Sequence, residues 1–220
     1  LMILRLQIFI LFTYTTLFLY KLFSALYDPF WGITTTVDFT SIYQQSKNME
    51  VSFFLYSVHF LLKCINATTA FKLRIENGEV IEYDKINISP TIGREDGTFG
   101  FGFFEYDTDL SLFIENAEKE IHRVKNSTGL SFSKDTARAD VIRYSALPWF
   151  AFSEMKHAGS IQTGDSIPKI STGKLIQEKK KLLLPISISV HHGLVDGRNV
   201  AEFIQNIRDR KSTRLNSRPI

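Results

Sequence analysis

Ile186-Ser187-Ile188-Ser189-Val190-His191-His192-Gly193-Leu194-Val195-Asp196-Gly197 is the stretch on which the fold turns. Its β-branched residues alternate with serines, which predicts a strand. Beyond the Gly193 and Gly197 turn residues, Val200, Phe203, Ile204 and Ile207 recur at the helical period. In the strand, Ile186, Ile188 and Val190 share one face, and the alternation places His192 with them; Ser187, Ser189 and His191 take the other face. This predicts a dry setting for His192, which favours the neutral imidazole that a general base needs. Asp196 stands where the helix begins and can cap it through its carboxylate. Adjacent histidines ahead of Asp-Gly are harder to explain by packing alone, because a buried imidazole without a partner costs free energy. A metal site would need a third ligand, and His59, His122 and His157 are scattered, so no metal is expected.

Working outward, Ile170 to Leu175 and Leu182 to His191 flank a lysine-rich turn and read as a hairpin. Phe71 to Tyr83 reads as another, with Asn77-Gly78 supplying the positive φ angles of a two-residue turn. Ile33 to Phe39 and Ala139 to Tyr144 read as strands. Thr40 is placed to cap a short helix through Ser46. Ser52 to Ala67 predicts a buried helix, and Asp107 to Lys125 an amphipathic one with Leu110, Phe113, Ala117, Ile121 and Val124 on its apolar stripe. Between them, Gly97-Thr98-Phe99-Gly100-Phe101-Gly102-Phe103 alternates glycine with phenylalanine, so one face admits close approach of either a ligand or neighbouring elements. Strands and helices in this irregular order predict an α+β fold, a mixed β-sheet packed by helices.

With 220 residues, 44% hydrophobic and 22% charged, the chain is of a size to bury one core. The net charge of +3 comes from the end of the chain, where Arg210, Lys211, Arg214 and Arg218 carry no balancing acid. The body is near neutral, and no nucleic-acid partner is expected. The lone Cys64 sits in an apolar run and reads as a packing residue in a reducing, cytoplasmic setting. Residues 1–22 form an apolar segment interrupted by Arg5, Gln7 and Lys21; its readings are a membrane anchor or sequence foreign to the protein. Residues 209–220 show no apolar period and read as a non-native tail.

The segment from Val190 to Gly197 resembles the active-site motif of the chloramphenicol acetyltransferase family. So do Ser145-Ala146-Leu147-Pro148-Trp149-Phe150-Ala151-Phe152 and Ile170-Ser171-Thr172-Gly173-Lys174, with Glu95-Asp96-Gly97-Thr98-Phe99 as a fourth block in the same order. The resemblance implies a CoA-dependent acyltransferase domain over residues 23–208. It implies a homotrimer with sites between subunits, and transfer of acetyl from acetyl-CoA to a hydroxyl of chloramphenicol. Acetyl-CoA is then a co-substrate, and no permanently bound cofactor or membrane partner is expected. His192 would take the proton of the attacking hydroxyl in a ternary complex, with Asp196 supporting its loop. Ser145 would donate to the oxyanion, a contact worth about 3 kcal/mol. Ser171 stands where the family carries threonine and keeps the hydroxyl, which implies a water-mediated contact to the intermediate on the coenzyme-binding side, and Lys174 lies at a position near the coenzyme phosphate. Phe23 and Phe99 would line the antibiotic pocket.

The chain also departs from the family pattern. The family's N-terminal arginine, which pairs with the motif aspartate, falls on Thr16. Arg198 and Asn199 replace an aromatic and a histidine after Asp-Gly, and Leu175 replaces a tyrosine. An unpartnered Asp196 is expected to disturb the His192 loop. The other readings are the acyltransferase core of 2-oxo acid dehydrogenase complexes, which shares His-x-x-x-Asp-Gly, an acyltransferase of the same fold with another acceptor, and a catalytically impaired or membrane-anchored relative.

Overall fold

A computed structural model describes residues 14–158 and 165–213, with the side chains of residues 19–158 and 165–209. The first half of the apolar segment, including Arg5, and the end of the basic tail lie outside the described residues, as does the side chain of Thr16. Among the described residues no helix is long and apolar enough to cross a membrane.

The chain runs α1 (Tyr14–Phe23), β1 (Phe30–Asp38), α2 (Thr40–Asn48), α3 (Phe53–Asn66), β2 (Leu73–Glu76), β3 (Glu79–Glu82), β4 (Asn87–Gly93), β5 (Phe99–Phe101) and α4 (Leu110–Lys125). It continues through β6 (Val141–Ala146), β7 (Lys169–Thr172), β8 (Ile176–Glu178), β9 (Lys181–His191) and α5 (Gly197–Thr213). Six strands follow the order β1-β9-β7-β6-β4-β5, with β8 added against β9; β2 and β3 form a separate hairpin. The β4, β6 and β7 pairings are parallel, and those of β9 with β1 and β7 are antiparallel. The fold is the expected mixed sheet packed by helices. α5 continues to Thr213, beyond the point at which the tail was set apart.

The alternation of β9 divides the sheet into two unlike faces. Ile186, Ile188 and Val190 are fully buried with Ile170, Ile142 and Ile88 of the neighbouring strands. Burying each such side chain contributes roughly 1.5–3 kcal/mol. This face joins one core with α3, whose residues are buried on nearly every side. A helix apolar all round belongs inside a protein, and α3 sits between α2, α4 and α5. The opposite face carries hydroxyls and basic groups and is not covered by this core.

Local chemistry explains several element ends. Asn77 and Gly78 take φ values of 52° and 78° in the predicted turn. The Asp109 carboxylate accepts from the Ser111 and Leu112 amides at 2.8 and 3.1 Å and starts α4. The expected cap at Thr40 is not found. Thr40 lies inside the first turn of α2, and Asp38 Oδ1 accepts from both its amide, at 3.0 Å, and its hydroxyl, at 2.7 Å. In the glycine–phenylalanine run, a Cβ on Gly100 would lie 2.6 Å from Ser131 Oγ and 2.8 Å from Val124 Cγ1. There the small residue serves tight packing against α4. Phe99 is 47% exposed on the edge strand.

Candidate active site

The motif turn begins where β9 stops pairing with β1. His191 is the last paired residue, opposite Phe30, and the Leu194 and Val195 amides then fold back to donate to the His191 carbonyl at 2.9 and 3.0 Å. His192 therefore leaves the strand, and the alternation that placed it on the apolar face does not extend to it. The dry setting expected for His192 belongs to its neighbour. His191 is buried at 4% exposure, and its Nδ1 accepts from the Gly193 amide at 3.1 Å. Desolvation pushes His191 down to about 4; the neighbouring His192 lowers it further and Asp165 opposes.

His192 is half-buried. Its amide donates to the Pro29 carbonyl at 2.8 Å, and its ring is stacked on Phe23 at 3.8 Å between centroids. Trp31 stands 5.4 Å away on a tilted plane, held by its indole N–H donating to the Val195 carbonyl at 2.9 Å. His192 Nδ1 is turned into the protein and has no hydrogen-bond partner among the described residues. α1 lies directly on this turn: a Cβ on Gly193 would come within 3.2 Å of the Tyr20 Cα and 3.0 Å of the His191 ring.

Asp196 heads α5 as a reciprocal cap. Its Oδ1 accepts from the Asn199 amide at 2.9 Å, and Asn199 Oδ1 accepts from the Asp196 amide at 3.0 Å. Asn199, itself a departure from the family pattern, gives Asp196 a neutral hydrogen-bond partner; the side chain at Thr16, where the family's arginine falls, lies outside the described residues.

The other expected site residues gather elsewhere, on the polar face. Thr34, Ser187, Ser171 and Ser145 stand opposite one another across β1, β9, β7 and β6. Thr91 of β4 extends the row, its Oγ1 lying 3.3 Å from Ser145 Oγ. Ser171 and Ser187 are 1% and 2% exposed. Ser187 donates to the Met155 carbonyl at 3.3 Å, and His157 Nε2 lies 3.0 Å from Ser171 Oγ. Lys174 is exposed just past β7, its amide donating to the Phe150 carbonyl at 2.9 Å. Phe99 flanks the row at the β5 edge, in T-shaped contact with Phe101.

One chain does not unite the two groups. His192 follows the last residue of β9, five positions past Ser187, and Ser145 is two strands over. At about 3.3 Å per residue and 4.8 Å per strand, His192 and Ser145 stand roughly 20 Å apart. On the same polar face a cavity of about 760 Å³ opens between Phe30, Trp31, Thr34, His157, Lys169 and Ser189. Lys169 is buried at its floor, 3.1 Å from Asp165 and 4.2 Å over the Phe30 ring. Among the described residues no group of three or more His, Cys, Asp or Glu is gathered to hold a metal. Sequence reasoning named His157 only among the scattered histidines and did not single out Trp31 or Lys169. Each stands outside the motif blocks, and only the register of the strands brings them together.

The architecture is shared with solved acyltransferases. A chloramphenicol acetyltransferase structure matches with a TM-score of 0.82 at 25% identity, over 90% of this chain and 95% of that one. The dihydrolipoamide acetyltransferase of Azotobacter vinelandii matches in fold with a TM-score of 0.67 at 14% identity, over 87% and 85%. The fold is that of the CoA-dependent acyltransferases. Sequence then narrows the class, because the chloramphenicol acetyltransferase family profile matches residues 14–208, α1 included. Chloramphenicol acetyltransferase 3 of Escherichia coli is 26% identical over 185 residues, 84% of this chain and 86% of that protein. A chloramphenicol acetyltransferase of Clostridioides difficile is 27% identical over 183 residues, 81% and 83%. This chain belongs to the chloramphenicol acetyltransferase family.

Proposed function

We propose that the protein transfers acetyl from acetyl-CoA to a hydroxyl of chloramphenicol, in a cytoplasmic homotrimer whose sites lie between subunits. The observation that carries this reading is the separation of His192 from the Ser145–Ser171 row. A histidine base and an oxyanion donor roughly 20 Å apart in one chain can act on one substrate only when two copies meet. His192 of one copy would then face the polar sheet face of the next.

In that arrangement His192 abstracts the proton of the acceptor hydroxyl as its oxygen attacks the thioester carbonyl. With Nδ1 turned inward, Nε2 is the nitrogen at the opposite edge of the ring and takes the proton. Ser145 donates to the oxyanion of the tetrahedral intermediate, which collapses with loss of the CoA thiolate. Both substrates are bound together, so no acyl-enzyme forms. Asp196 holds the turn through the α5 cap, Phe23 and Phe99 contribute apolar walls, Ser171 reaches the intermediate through a water from the coenzyme side, and Lys174 lies near the coenzyme phosphate. An acetylated drug hydroxyl no longer binds its target, which makes the protein a resistance determinant.

The test is release of CoA thiol from acetyl-CoA with and without chloramphenicol. Release that requires the drug and disappears in His192→Ala supports the reading. Release with a different hydroxyl acceptor alone would point to another substrate on the same machinery. A strictly monomeric, active enzyme would overturn the shared site.

A further inference from the structure

Each hydroxyl in the middle of the polar row has its own tether. Ser145 is matched with Thr91, Ser187 donates to the Met155 carbonyl, and Ser171 meets a histidine. That histidine, His157, comes from the segment that follows Phe152 and lies over the sheet. It lines the cavity on one side and reaches Ser171 Oγ with Nε2 at 3.0 Å on the other. Its second nitrogen, Nδ1, is buried without a hydrogen-bond partner among the described residues. Burial, helped by the Lys169 ammonium, lowers the His157 pKa from its ordinary value and so favours the neutral ring.

A neutral imidazole carries one N–H. With the proton on Nδ1, a donor would be buried unpaired, and the Ser171 hydroxyl would be spent donating to Nε2. With the proton on Nε2, the imidazole donates to Ser171 Oγ, and only an acceptor is left alone. Among buried backbone groups an orphaned N–H is rarer than an under-satisfied acceptor, and the same preference is applied to the imidazole. The second arrangement also leaves the Ser171 O–H free to donate onward, in line with Ser145 on the adjacent strand.

We infer that His157 is a positioning residue for transfer: its Nε2–H fixes the Ser171 hydroxyl as a hydrogen-bond donor to the developing oxyanion, directly or through a water. The inference rests on the reading that the Ser145–Ser171 row serves acetyl transfer. No atom of His157 takes part in bond making; it sets the direction of a donor that would otherwise rotate freely.

The experiment compares His157→Leu, His157→Gln and Ser171→Ala with the parent enzyme, each confirmed folded by thermal melting. The glutamine amide can place an N–H where Nε2–H stands; leucine cannot. His157→Leu is expected to lower kcat about tenfold with KM for acetyl-CoA unchanged, and His157→Gln to restore most of that loss. In His157→Leu/Ser171→Ala the loss is expected to equal that of Ser171→Ala alone, since His157 acts only through Ser171. Full kcat in His157→Leu, no rescue by glutamine, or additive losses would each overturn the inference. An unaffected Ser171→Ala enzyme would instead sink the reading of the row itself, and this inference with it. Nitrogen NMR of histidine-labelled protein supplies a readout independent of turnover: the Nε2–H tautomer is expected at His157, and Nδ1–H would overturn the assignment.

Discussion

The His192 imidazole lies flat on the Phe23 ring, with the planes 13° from parallel and the centroids 3.8 Å apart. Phe23 is the last residue of α1, so a helix from the apolar beginning of the chain fixes the orientation of the motif histidine. Removing the ring should release the imidazole. Phe23→Ala is expected to lower kcat about tenfold or more, while Phe23→Tyr, which keeps the stack, should stay within about twofold. Steady-state CoA release distinguishes the two; equal losses would show that the stack does not orient the base.

The reciprocal cap of Asp196 and Asn199 predicts a stability cost that is separable from the chemistry. Asn199→Ala removes the acceptor for the Asp196 amide and should lower stability by about 1 kcal/mol. For a chain of this size that corresponds to about 2–4 °C in Tm. Asp196→Ala loses the N-cap oxygen and should cost at least as much while also loosening the His192 turn. Calorimetry of both variants beside the parent checks the order.

Gly193 is held to its residue type by crowding rather than by a positive φ. An added Cβ would meet the His191 ring at 3.0 Å and the Tyr20 backbone at 3.2 Å. Gly193→Ala should therefore push α1 away from the turn, costing about 1–3 kcal/mol and lowering kcat together with stability. A urea titration showing an unchanged midpoint would mean that α1 yields without loss.

His191 makes the fold sensitive to acid. Desolvation is the main reason that its pKa falls from the ordinary 6.5 to about 4 in the folded chain. Between those values the unfolded chain binds the extra proton and the folded chain does not. The contribution is complete above about pH 6.5, shrinks as the pH falls, and is lost by about pH 4, on the order of 3 kcal/mol in all. Urea midpoints measured at pH 7, 5.5 and 4.5 should fall in the parent and flatten in His191→Gln. Parallel curves would assign the acid sensitivity to other groups.

Much of the fold was legible from local chemistry. The period-two run of Ile186, Ile188 and Val190 marked β9, the apolar length of Ser52 to Ala67 marked α3, and Asn77-Gly78 marked the β2–β3 turn. Each signal is carried by neighbours in sequence, where alternation, length and turn chemistry act. The motif also showed that His192 and Asp196 lie on one short turn. The fate of the two histidines was not legible, because alternation does not reveal where a strand stops pairing. β9 ends at His191, opposite Phe30, so His191 is the residue that becomes dry and His192 the one that stacks on Phe23.

Residue types and spacing by themselves determined an α+β chain with a histidine at the end of a buried strand, and the resemblance of its motif blocks to a known family pointed to acyl transfer. Only the tertiary structure decided that Thr34, Ser187, Ser171, Ser145 and Thr91 form one row, that His157 reaches into it, and that His192 stands apart from it. The reason is register. A hydroxyl's neighbours across a sheet are set by how strands from distant parts of the chain align, and a one-residue slip turns every side chain to the other face.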